Sequence, residues 1–182
     1  MLFVVALCRR LSDMRRIGPL LLLVIGGLLL AGSAALGLYT QVVGNPGAEP
    51  VPDMLAGLAL TRSRIGREAL TEVTVLHGQE FALSSGAVAG YGSGAATVWV
   101  TGTFLDPLAS QMVGAMEARI AQGRSPFTPT GTRSTPEGRV VYELFGMGQR
   151  HFYFQSGWRV VWLAAEASLA ESALKELLEF YP

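Results

Sequence analysis

Thiol chemistry is almost absent from this chain. Its 182 residues include one cysteine, Cys8. That residue precedes a long apolar run, so the part beyond the run has no disulfide framework and no thiolate metal site. Histidine is nearly as scarce, with only His77 and His151. A zinc site would have to complete its ligand set with carboxylates, and no spacing motif offers one. No cofactor is therefore expected. No G-x-S-x-G, Walker loop or H-E-x-x-H pattern occurs, which removes the familiar hydrolase, nucleotide and metalloprotease signatures. Charge is also sparse, at 15% of residues, low for a soluble domain. Beyond the apolar run, nine arginines and Lys175 stand against thirteen acidic residues. Such a domain repels phosphates, and nucleic acid is not an expected partner.

What the chain does have is apolar length. From Ile17 to Tyr39 there is no charged residue, enough for a helix to cross about 30 Å of hydrocarbon at about 1.5 Å per residue. Arg9, Arg10, Arg15 and Arg16 precede the run, with only Asp13 against them. The positive-inside rule keeps that end in the cytoplasm and the remainder outside. Four regions are expected: a cytoplasmic N-terminus (1–16), an anchor or signal (17–39), a linker (40–52) and an extracytoplasmic domain (53–182). Membrane lipid is then a partner through the N-terminal helix. Met14, followed by Arg15-Arg16 and the run, reads as a translation start. Ser33-Ala34-Ala35 keeps a cleaved signal open as the alternative, with a secreted or periplasmic product. The anchor is favoured because the apolar pattern continues to Leu38 and Tyr39, the latter suited to the interface.

Gly44, Asn45, Pro46, Gly47, Pro50 and Pro52 mark 41–52 as a spacer without regular structure. Arg62 to Arg67 is a basic cluster, either a solvated loop or a contact for anionic headgroups. Short β segments are expected at Glu72–Leu76, Glu80–Leu83, Ala87–Tyr91 and Thr97–Phe104. A helix should start at Asp106-Pro107, bury Leu108, Met112, Met116 and Ile120, and stop at Gly123. Arg124–Gly138 is expected as a long loop, functional or packed through Phe127. Three β runs from Arg139 to Ala164, split by two glycine turns, predict an antiparallel meander. Ser168-Leu-Ala-Glu171 is a capping box for a last helix with Ala170, Ala173, Leu174, Leu177, Leu178 and Tyr181 inward and a Glu171–Lys175 pair outward.

The fold class is thus α+β: an N-terminal transmembrane helix, then an antiparallel sheet packed with two helices. The order of strands, helix, meander and helix resembles domains of the photosystem II PsbP and Mog1 type, in topology only and with no motif residues to carry over. Gly90-Tyr-Gly92-Ser-Gly94-Ala95 matches G-x-G-x-x-A, but the strand-like sequence after it gives a hairpin loop and no phosphate cradle. Trp99, Trp158 and Trp162 read as core and interface residues rather than a sugar-stacking platform, with exposure of Trp158, directly after a turn, as the alternative.

One constellation carries possible chemistry. With Gly146-Met147-Gly148 as a three-residue loop, Glu143 faces His151. With Ser156-Gly157 as a two-residue turn, His151 faces Trp162. Glu143, His151 and Trp162 then form a row on one face, with Tyr153 beside it. A neighbouring carboxylate would orient the imidazole and raise its pKa. Such a row is either a ligand or partner face, or a plain cross-strand pair costing no more than about 1 kcal/mol to remove. No nucleophile or oxyanion motif accompanies it. The expected function is a non-catalytic binding or assembly role at the cell envelope, with an envelope protein partner. The alternatives are a small hydrolase or lyase using Glu143 and His151, or a carrier of an apolar ligand.

Overall fold

The computed structural model describes residues 2–77 and 82–182, with side chains from residue 18 to 73 and from 82 onward. It divides into two units, 1–42 and 43–182. The first is one helix, α1 (Leu2–Gly44). Its part Gly18–Gly44 has a mean hydropathy of 2.3 and is long and apolar enough to cross a membrane. At about 1.5 Å per residue it exceeds the hydrocarbon thickness with about two turns to spare.

The second unit is α+β. Its strands are β1 (Gly47–Ala48), β2 (Met54–Leu55), β3 (Leu58–Ile65), β4 (Ser85–Tyr91), β5 (Ala96–Gly102), β6 (Thr128–Ser134), β7 (Val140–Gly146), β8 (Gln149–Ser156) and β9 (Arg159–Ala165). They form one sheet in the order β2-β3-β4-β5-β9-β8-β7-β6, antiparallel throughout, with β1 added parallel to β4. Three helices cover it: α2 (Gly66–His77), α3 (Asp106–Ala121) and α4 (Ala170–Phe180).

Strand alternation sorts the side chains into two layers. Val98, Phe154, Val161 and Leu163 point to one face, where Ala173, Leu174 and Leu177 of α4 bury them. Leu144, Tyr153 and Val160 point to the other, under Ala109, Met112, Val113, Met116 and Ile120 of α3. Val88 meets Ala69 and Val73 of α2 on that same face. Both faces are covered, which is why the meander runs carry apolar residues at odd and even positions alike.

The meander and both expected helices are present, and the G-x-G-x-x-A stretch is the turn joining β4 to β5. Several local expectations give way. Glu72 lies in α2 rather than a strand: Ala69 and Val73, four apart, bury one helical stripe. Among the described residues three helices, not two, therefore pack on the sheet. Arg62–Ile65 is strand and Arg67 is helix, so the basic cluster is not a loop. Glu80 and Phe81 of the second expected strand lie outside the described residues, and Ala82-Leu83 has no regular structure. Leu108 is exposed and Ala109 takes its place in the α3 stripe. Asp106 opens α3, but Leu105 is the capping residue and no side chain caps it. Leu169 precedes α4, again without a side-chain cap, so the capping box does not form.

The Arg124–Gly138 loop contains β6, an edge strand exposed along its length. The expected spacer is partly structured too. Glu49 donates its N–H to Gly86 O at 3.3 Å, the Tyr181 hydroxyl bonds Pro50 O at 2.5 Å, and the Tyr91 hydroxyl bonds Pro52 O at 2.8 Å. Glu49 itself is buried. Its carboxylate accepts from the Ser85 hydroxyl and from Arg159 Nε at 2.6 Å. Gly102 makes room for it, since a Cβ there would stand 2.6 Å from Glu49 Oε1 and collide with Ser85 Oγ.

Candidate functional site

The turn between β7 and β8 decides what the candidate row is. Gly146 pairs with Gln149, so the turn is the two residues Met147-Gly148. Both have positive φ, 53° and 78°, the backbone of a type I′ hairpin. One residue fewer than a three-residue loop reverses the parity of β7 against β8. Glu143 therefore faces Phe152, His151 faces Leu144, and Glu143 and His151 lie on opposite faces. This corrects the expected row: Glu143 is not part of it.

Glu143 instead joins a charged network on the α4 side. Its carboxylate takes Arg133 Nε at 2.9 Å and an Arg150 terminal nitrogen at 3.2 Å. The same two arginines reach Glu171 at 3.0 and 2.7 Å. Both guanidinium groups lie over the Phe152 ring, 5.5 and 4.9 Å from its centroid. Burial works to raise the Glu171 pKa, but the hydrogen bonds and charges of Arg150 and Arg133 prevail and hold it low. Glu171 thus serves this network and not the expected pair with Lys175. Every charge here has an opposite partner, which makes the network a support for the sheet and leaves no acid or base free.

His151, Tyr153 and Trp162 do share a face, the α3 side. The β8–β9 turn is Gly157-Trp158, so Tyr153 pairs with Trp162 and His151 with Ala164. Parity survives because the offset from the expected register is two residues. Tyr142, Tyr153 and Trp162 stack across three strands, at centroid separations of 4.5 and 5.3 Å and interplanar angles of 3° and 8°. Tyr153 is buried, and that burial pushes its hydroxyl well above the usual tyrosine range.

His151 is 4% exposed. Trp162 Nε1–H donates to its Nδ1 at 3.1 Å, and its Nε2 lies 3.0 Å from Gly146 O. Indole N–H can only donate and a carbonyl can only accept, so the ring is the neutral tautomer with its proton on Nε2. Burial lowers its pKa, against a smaller opposing effect of the Gly146 carbonyl. A carboxylate beside the ring would have done the reverse. Phe127 closes the cluster, 4.6 Å from the imidazole and 5.1 Å from the Trp162 ring. It seats on Gly146, where a Cβ would lie 2.5 Å from the phenyl ring and 3.0 Å from Pro126 O.

Phe127 was legible as a packing residue, but its place over His151 depends on β6, which sequence reading missed. On the same face, Trp99 Nε1 and Thr101 Oγ1 are buried without a hydrogen-bond partner. Trp99 pairs directly with Trp162, extending the aromatic row to β5. Among the described residues no three His, Cys, Asp or Glu side chains gather as a metal site.

No family model, curated protein or solved structure matches the chain. The topological likeness to PsbP and Mog1 type domains accordingly finds no support among solved structures.

Proposed function

We propose that this chain is a single-pass membrane-anchored domain, held outside the cytoplasm, with a non-catalytic role in binding or assembly at the cell envelope. The observation that carries the reading is the apolar span Gly18–Gly44, separated from β1 only by Asn45 and Pro46. Orientation rests on the arginines before the span. The non-catalytic part is supported by His151, whose two ring nitrogens are both engaged. A hydrolase or lyase built on Glu143 and His151 would need them in one pocket, and they are on opposite faces of the sheet. The carrier alternative keeps one favourable observation. The unpartnered Trp99 Nε1 and Thr101 Oγ1 would suit an apolar ligand with a single polar group.

A reporter active only in the cytoplasm, fused after Pro182, tests the topology. It should be silent, with the protein in the membrane fraction at its uncleaved mass. A strong signal would reverse the topology, and a shortened soluble product would replace the anchor by a cleaved signal.

A further inference from the structure

Among the described residues, six of the nine large exposed apolar side chains outside α1 stand at one end of the sheet. Among the described residues outside α1, these nine are Met54, Ile65, Leu105, Leu108, Val140, Phe145, Met147, Trp158 and Phe180. Met54, Phe145 and Met147 stand at or toward the end that holds the β7–β8 turn. The other six stand at the opposite end, defined by the cross-strand row Gly47, Ser85, Gly102, Arg159 and Ser156. Leu105 and Trp158 are tied together there, since Thr103 hydrogen-bonds the main-chain oxygens of both. Leu105 is 63% exposed and Trp158 45%.

This is also the end at which the chain comes in from the apolar span. Gly47 begins β1 directly after Asn45 and Pro46. From Gly47 to Arg159 is three strand spacings, about 14 Å. Arg159 bridges the two, holding Glu49 with Nε and stacking on Trp158 at 4.4 Å from the ring centroid.

We propose that this end of the domain rests on the bilayer that the apolar helix crosses, with Trp158 and Leu105 seated among the lipid headgroups. Indole and leucine partition to that interface, and tryptophan prefers it to either bulk phase. Arg67, which reaches Asn45 Oδ1 at 3.2 Å, and Arg139, which reaches Tyr181 O at 2.6 Å, lie at the same end. So do the acidic Asp106 and Glu137. With the signs nearly balanced, apolar insertion and not headgroup charge drives the contact, and it persists at high salt. The contact sets the domain's orientation and leaves the β7–β8 turn facing water.

The inference rests on the anchor reading, and one experiment separates their failures. In the full chain with Cys8→Ser, an environment-sensitive fluorophore is attached singly at Leu28→Cys, Leu105→Cys or Met147→Cys. Each is reconstituted into phosphatidylcholine vesicles containing a minority of phosphatidylglycerol. The label at position 105 should shift to the blue, be quenched by lipid carrying a shallow spin label, and keep that quenching in high salt. The label at 147 should stay quenchable only from water. Adding Trp158→Ser should weaken the lipid quenching at 105. If 105 behaves like 147 while 28 reports hydrocarbon, the contact is wrong and the anchor stands. If 28 reports water, the anchor reading falls and the contact falls with it.

Discussion

His151 holds its proton on one nitrogen and accepts a hydrogen bond on the other, inside an aromatic shell. Protonation would place a second N–H against that of Trp162, and the low-dielectric surroundings would not hydrate the charge. The consequence for stability has a definite sign. A base whose folded pKa is depressed takes up its proton first in the unfolded chain. Stability is therefore full above the ordinary imidazole value, about 6.5. It declines as pH falls below that value and levels off once the folded imidazole also protonates. Replacing His151 by Gln should remove this dependence, which thermal melts of both proteins across pH 7.5 to 5.5 would reveal. The substitution should also cost about 1–3 kcal/mol at neutral pH, the penalty for leaving buried donors and acceptors imperfectly matched. That exceeds the roughly 1 kcal/mol of an exposed cross-strand pair, because the residue is buried. Parallel melts without a pH-dependent gap would mean the imidazole is not held neutral.

At the scale of elements, β6 and its lead-in are tied down by one aromatic residue. Phe127 is half-buried between His151 and Trp162, and β6 itself is exposed along its length. Removing the phenyl ring by Phe127→Ala should cost about 2 kcal/mol, below the range for a fully buried phenylalanine. Trypsin should then cut faster after the exposed Arg124, while β7 to β9 stay protected. Equal cleavage rates would show that the strand is held by its ladder with β7 alone. The sequence made the meander legible because Val, Tyr, Phe and Trp cluster between glycines. It hid β6, whose Thr, Pro, Gly, Arg and Ser read as loop, since an edge strand gains its order from its neighbour. It also hid the Met147 turn. Only the backbone shows that a methionine takes the positive φ usually left to asparagine or glycine. That single residue decided whether Glu143 and His151 met.

For the molecule as a whole, the segment between helix and sheet matters more than its glycines and prolines suggested. Residues 47–52 give the domain a short parallel strand, a buried carboxylate and two carbonyls that accept tyrosine hydroxyls. A fragment beginning at Asp53 would keep three helices and most of the sheet, with the apolar core intact on both faces. It would lose Glu49, leaving Arg159 half-buried with no carboxylate, and would strip the Tyr91 and Tyr181 hydroxyls of their acceptors. Breaking a buried ion pair costs roughly 3–5 kcal/mol, and about 3 is apt here because Arg159 keeps some contact with water. A fragment of residues 43–182 should accordingly melt as one cooperative unit, and one of residues 53–182 should melt at a clearly lower temperature. Glu49→Gln in the longer fragment should reproduce part of that loss, since the amide keeps the shape of the carboxylate but not its charge. Equal melting temperatures for the two fragments would make residues 43–52 a passive tether. A loss confined to the shorter one, with Glu49→Gln silent, would assign the stability to β1 and the tyrosine hydroxyls instead of the ion pair.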